Sequence, residues 1–275
     1  MPLLGRSLHL KTKEMDPMRF IKLMSIVSLL LGLFGCATLN DDPTAGWDAE
    51  KLYKEARSAL DNGEYDRAIE NYTKLESRYP YGRYAQQAQL ETTYAHYKAG
   101  ETASAVAAAE HFIKTNPRHP NVDYAYYLRG LATYDQNNGL LTRIFEQDPA
   151  ERDPASLRES FNYFKELVTR FPDSRYSPDA IKRMTTLRNT LARHEVHAAE
   201  YYLKRGPYLA AANRAKYVLE NYQSSESIPD ALVVMIKAYR KMELNNLASD
   251  ALRVLELNYP QHPGVQELKA ASQDN

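Results

Sequence analysis

Seven histidines and one acidic loop are where this sequence could hold catalytic or metal chemistry. The histidines are His9, His96, His111, His119, His194, His197 and His262. Only His194-Glu195-Val196-His197 approaches a metal motif, with two imidazoles three apart on one helical face. It is not H-E-x-x-H, and no third ligand follows at a clear spacing. Asp148, Glu151 and Asp153 gather carboxylates but lack the alternating acids and central glycine of a calcium loop. There is no nucleophile elbow, P-loop or dinucleotide fingerprint. With 11 glycines in 275 residues, a phosphate cradle has little to be built from. These observations predict no enzyme, no metal and no cofactor.

The remaining reactive residue is the lone Cys36 in Leu33-Phe34-Gly35-Cys36-Ala37-Thr38. A single cysteine forms neither an internal disulfide nor a ligand cluster. It follows a short apolar run, residues 23–34, which Arg19 and Lys22 precede. That run falls short of the roughly 20 residues that span a bilayer, and it fits a secretory signal peptide over 1–35. Met18 makes the more ordinary start than Met1. The Leu-x-Gly-Cys stretch resembles a bacterial lipobox, predicting lipidation of Cys36 and an anchor in lipid rather than a span. Without Asp after the cysteine, the sorting rule of such lipoproteins points to the outer membrane, facing the periplasm. Removing 1–35 leaves 30 basic against 33 acidic residues. That balance makes no electrostatic case for nucleic acid.

The elements that would position a binding surface emerge from a repeat. Past Trp47 the apolar residues recur at helical period. Chain endings recur at Tyr79-Pro80, Asn116-Pro117, Phe171-Pro172, Tyr222-Gln223 and Tyr259-Pro260. Twelve residues before each final residue stands a small one: Ala68, Ala105, Ser160, Ala211 and Ala248. This is the half-pattern of a tetratricopeptide (TPR) second helix. The small residue lets antiparallel helices approach, an apolar residue such as Tyr72, Phe164 or Leu252 fills the next turn, and proline stops the helix. First helices run upstream, from Asp48 as N-cap to Asn62-Gly63, then 84–99, 124–136, 178–205 and 229–242. The fold class is all-α, a TPR-like solenoid of five pairs: 48–80, 84–117, 121–172, 176–223 and 228–260. Residues 36–47 are a lipidated linker and 263–275 a C-terminal tail.

Two pairs exceed the regular length. The surplus in the third is residues 140–154, an inserted loop whose Leu140, Leu141, Ile144 and Phe145 suit a contact. In the fourth it is a long first helix. The chain has 21 tyrosines, ten of them (including Tyr53, Tyr124, Tyr126, Tyr127 and Tyr134) in the first helices of pairs one to three or the turns feeding them. Tyrosine offers contact area at low entropic cost, so these predict a peptide groove, with about half of them packed between helices. Arg67, Arg78 and Arg83 could hold a carboxylate there.

Four stretches are more specific than a generic repeat: RYPYGRYAQQAQL (78–90), NPRHPNVDYAYYLRGL (116–131), RDP (152–154) and AEYYLKRGPYLAAANR (199–214). With the lipobox they resemble the BamD (ComL) family, lipoprotein subunits of the outer-membrane β-barrel assembly machinery. The resemblance covers essentially the whole mature chain. It implies that 48–172 receives the C-terminal targeting strand of unfolded outer-membrane proteins, at Arg67, Tyr79, Tyr81, Tyr84, Tyr94 and Tyr97. It implies that 173–262 docks on the POTRA domains of a BamA-like barrel subunit, through Arg205, Gly206, Asn213 and Arg214. Asn213 and Arg214 have a second reading, as braces of the fourth pair. Other lipoprotein subunits of the complex, or the barrel subunit, would meet the 140–154 loop. A pilotin-like TPR lipoprotein for secretin or pilus assembly is the alternative function, although such proteins are more regular in repeat length.

Overall fold

The computed structural model describes residues 42–137, 150 and 154–273. Among them are eleven helices and no strand: α1 (Ala49–Asp61), α2 (Tyr65–Arg78), α3 (Arg83–Ala99), α4 (Thr102–Thr115), α5 (Val122–Asn137), α6 (Pro154–Arg170), α7 (Ser177–Arg205), α8 (Tyr208–Asn221), α9 (Ile228–Lys241), α10 (Asn245–Asn258) and α11 (Pro263–Gln273). Consecutive helices pair as α1/α2, α3/α4, α5/α6, α7/α8 and α9/α10, the five pairs of a TPR-like solenoid. Cys36, His9, the signal region and nearly all of the 140–154 insertion lie outside the described residues. Residues 42–47 group with the N-terminal unit and form a turn in which Trp47 N–H donates to the Thr44 carbonyl at 2.9 Å.

The repeat works as its spacing predicts. Ala68, Ala105, Ser160 and Ala211 are fully buried and Ala248 nearly so. Tyr72 and Phe164 are completely enclosed one turn later, whereas Leu252 is only partly buried. At the third pair the approach is close enough to require glycine. A Cβ on Gly130 of α5 would lie 2.6 Å from the Phe164 ring, and Ser160 Oγ donates to the Gly130 carbonyl at 3.3 Å. Every second helix up to α10 ends in one way. Tyr79, Asn116, Phe171, Tyr222 and Tyr259 each donate a backbone N–H to the carbonyl four residues back, at 2.8–2.9 Å. Tyr222 does so with Gln223 behind it, so the bend does not depend on proline. Three first helices, α1, α3 and α7, stop where glycine takes positive φ, at Gly63 (79°), Gly100 (78°) and Gly206 (103°), and after α9 it is Glu243 that does so (61°). Asp48 is the predicted N-cap of α1, its Oδ1 accepting from Lys51 N–H at 2.8 Å.

First helices also contact one another, α1 with α3, α3 with α5, and α7 with α9, so they share one face. Between α5 and α7, tyrosines carry much of the contact. Tyr176 stacks on Tyr124 and Tyr127 at ring distances of 5.1 and 4.8 Å. The surplus of the fourth pair lengthens α7 to 29 residues, which lets it reach α6, α8 and α9. Enclosed by its neighbours, α9 is apolar nearly all round, from Ile228 through Ile236.

Two features revise the sequence reading. Residues 263–275 contain helix α11, which caps the array rather than trailing from it. Val265 and Leu268 are buried, Gly264 packs so closely on Val233 that a Cβ would sit 2.3 Å away, and Arg240 donates to the Leu268 carbonyl at 3.0 Å. The array from Asp48 onward is also one compact unit. The division at 172/173 is therefore one of proposed labour, not of separate folding units.

Candidate functional site

Glu91 organises the face shared by α1, α3 and α5. Its side chain is only 8% exposed, yet it carries a carboxylate. Burying an anion is costly unless donors surround it. Four do: Tyr53 Oη at 2.8 Å, Arg57 Nη1 at 3.0 Å, Gln87 Nε2 at 2.8 Å, and Tyr72 Oη in a short bond. Burial, then the bond to Glu91, pushes both phenols well above their ordinary range, so they remain protonated donors. One buried acid thereby binds α1, α2 and α3 and fixes the rings beside it.

Next to this hub lies an open cleft lined by Arg57, Tyr65, Gln87, Glu91, Tyr94, Lys98, Tyr124, Arg175 and Tyr176, among others. Its lining combines the tyrosines Tyr65, Tyr94, Tyr124 and Tyr176 with the cations Arg57, Lys98 and Arg175. Arg175 sits over the Tyr176 ring at 4.8 Å, just as Arg83 sits over the Tyr84 ring at 4.8 Å. The Gly82-Arg83-Tyr84 and Ser174-Arg175-Tyr176 turns thus repeat one arrangement at the start of two first helices. Further along, Tyr97 Oη donates to Asp135 at 2.5 Å and Tyr127 Oη to Asp179 at 2.6 Å. Arg183 bridges Asp179 (2.6 Å) and Asp135 (3.8 Å). Burial and the bond to Asp179 raise the Tyr127 pKa to about 12. Burial alone would raise Asp179, but bonds from Tyr127 and Arg183 outweigh it and hold the carboxyl below its ordinary value.

The six predicted groove residues do not form one cluster. Tyr94 lines the cleft, and Tyr97 lines a neighbouring recess with Gly100 and Asp135. Tyr84 packs on Tyr53 at 5.4 Å. Tyr79 and Tyr81 lie on the turn after α2, Tyr81 being 92% exposed. Arg67 occupies a shallow recess beside Gly63 and bonds Glu64 at 2.9 Å. The cations at the cleft are Arg57, Lys98 and Arg175 instead. Sequence reasoning missed Arg175 and Tyr176 because they arise from the fourth pair, yet the repeated Arg-Tyr before a first helix was a usable signal. Of the other tyrosines, Tyr126 is buried and Tyr53, Tyr124, Tyr127 and Tyr134 are partly buried.

The four docking residues gather at the α7–α8 corner. Gly206 makes the turn at positive φ, and Arg205 lies over the Tyr201 ring at 5.1 Å. Exposed Leu209, Asn213 and Tyr217 follow at four-residue intervals along α8. Arg214 does what the bracing alternative described, with Nη1 donating to Glu195 Oε2 at 2.7 Å, while its side chain stays 48% exposed. Glu195 itself is 2% exposed and also accepts from Arg158 at 3.2 Å. The neighbouring His194 Nδ1 lies 2.6 Å from the buried Ala150 carbonyl, which can only accept, so that nitrogen carries the proton. His194 thus holds one residue of the insertion to α7. Among the described residues no group of three His, Cys, Asp or Glu side chains could hold a metal ion.

A family model described as outer membrane lipoprotein (YfiO) matches residues 46–255. The outer membrane protein assembly factor BamD of Neisseria gonorrhoeae is 44% identical over 247 residues, covering 88% of this chain and 92% of its own length. BamD of Xylella fastidiosa is 38% identical over 86% of this chain and 83% of its own, and that of Vibrio cholerae 34% over 88% and 99%. Among solved structures, a thermophilic TPR protein of Thermus thermophilus is 15% identical, covering 83% of this chain and all of its own at a TM-score of 0.34, too loose to build on. The match over most of the solenoid and the identity to these relatives lead to one conclusion: the chain belongs to the YfiO outer membrane lipoprotein family.

Proposed function

We propose that this chain is an outer-membrane protein assembly factor, a scaffold lipidated at Cys36 and held facing the periplasm. The observation that carries the role is its 34–44% identity, over nearly nine tenths of its length, to proteins named for that task. The aromatic face of α1, α3 and α5 receives the C-terminal strand of an unfolded barrel protein. Tyr94, Tyr124 and Tyr176 contact its apolar side chains, and Lys98 and Arg175 hold its carboxylate. Tyr84 and Tyr97 extend this face, and Arg67, Tyr79 and Tyr81 border it. The α7–α8 corner, with Arg205, Gly206, Asn213 and Arg214, docks on POTRA domains of the barrel subunit, and the insertion meets that subunit or a further lipoprotein. Exposed tyrosine and arginine at the corner suit such a role. Depleting the chain is expected to lower barrel proteins in the outer membrane. Unchanged barrel levels with lost pili would instead support the pilotin-like alternative.

A further inference from the structure

Two arginines from different helices converge on the buried Glu195. Arg158 reaches it from α6 and Arg214 from α8. The carboxylate is 2% exposed, while each arginine side chain keeps nearly half its surface in solvent, 44% and 48%. A guanidinium has five N–H donors in a rigid fork. Arg214 gives Nη1 to Glu195 Oε2 and also interacts with Tyr202, yet about half of its side chain stays in solvent on α8, the helix that carries exposed Asn213 and Tyr217. On a flexible stem an unsupported arginine samples many rotamers, and ordering it on binding costs roughly 0.5–1.5 kcal/mol. A buried partner removes that freedom beforehand.

We infer that Glu195 is a positioning residue for docking: from inside the α6–α7–α8 junction it holds Arg214 so that the guanidinium meets an acidic side chain of the partner already aligned. Arg158 supplies the second charge that makes the buried anion tolerable, and it takes no part in docking. This assignment rests on the docking role proposed for the α7–α8 corner. It makes Arg214 both brace and contact, through opposite edges of one fork.

The test is binding of the full-length lipidated chain in detergent to purified POTRA domains of the barrel subunit, with unfolding midpoints measured in parallel. Arg214→Ala and Glu195→Gln are each expected to weaken binding at least tenfold, and the double variant no more than either alone. Arg158→Gln is expected to leave affinity within twofold while lowering the unfolding midpoint. Glu195→Asp, which keeps the charge on a shorter stem, is expected to recover part of the affinity. A merely structural Glu195 would weaken binding equally with and without Arg214, or Arg158→Gln would lose as much as Glu195→Gln. Either result overturns the inference. If Arg214→Ala binds like the native chain, the docking role itself fails and the inference falls with it. If Arg214→Ala weakens binding and Glu195→Gln does not, the inference alone fails.

Discussion

Glu91 and Glu195 are both glutamates buried on the first helix of a pair, in the second and fourth repeats, yet they are satisfied in opposite ways. Glu91 takes two phenols, an amide and one arginine, and it borders an open aromatic cleft. Glu195 takes two arginines and borders an exposed corner. Neutral donors spread the charge of a buried acid and lock rings in place. Paired guanidiniums balance it outright and leave cationic edges facing outward. One device, a buried carboxylate at a helix junction, therefore borders a tyrosine-lined cleft in one half and an arginine-bearing corner in the other, the two surfaces proposed for receiving and for docking.

Removing each acid should separate the two designs. Glu91→Ala leaves the buried Tyr72 hydroxyl and the Tyr53 hydroxyl without their acceptor, and a loss of about 3 kcal/mol in urea unfolding is expected. Glu195→Gln is expected to cost about 1 kcal/mol, because both arginines already reach water and can turn to it. Equal losses at the two sites would remove the distinction. Tyr72→Phe should cost up to about 1 kcal/mol, since three donors stay on Glu91. A cost as large as that of Glu91→Ala would mean that one bond carries the hub.

The smallest effect belongs to Asp179, on the tyrosine network between α5 and α7. Its folded-state pKa lies below its unfolded value, so the unfolded chain binds the proton first as pH falls. The stability it contributes is present above about pH 4 and lost below it. Asp179→Asn should therefore lower the unfolding midpoint at pH 7, by a difference that shrinks as pH falls below about 4 and through the depressed folded-state value. The carboxylate is half exposed, which keeps the difference small. A gap that widens on acidification would contradict the sign.

The architecture was legible in the sequence because its constraints are local. Ala68, Ala105, Ser160, Ala211 and Ala248 mark helix crossings that tolerate only small side chains, and the endings twelve residues later stop the chain wherever they fall. Helix α11 was not legible: 263–275 read as a tail, whereas Pro263 opens a helix there and Gly264 permits its contact with Val233. Glu91 went unremarked, and Glu195 was noted only as part of His194–His197, for a related reason. A charged residue at helical period reads as a solvated face, and only the donors brought in from other helices reveal it as buried. Arg67 was placed at the groove because it lies near the first turn with Arg78 and Arg83, while Arg175, some 90 residues from Tyr84, reaches the cleft through the fourth pair's opening turn.

The most direct test of the aromatic cleft as the receiving face is site-specific photo-cross-linking in the full lipidated chain. A photoreactive residue is placed at Tyr94, at Tyr124 or, as control, at Leu257, which is 76% exposed on α10. A peptide copying the C-terminal strand of a barrel protein is expected to cross-link at Tyr94 and Tyr124 and not at Leu257, with its amidated form captured less. Capture at Leu257 alone, or equal capture at all three positions, would contradict the assignment of the cleft.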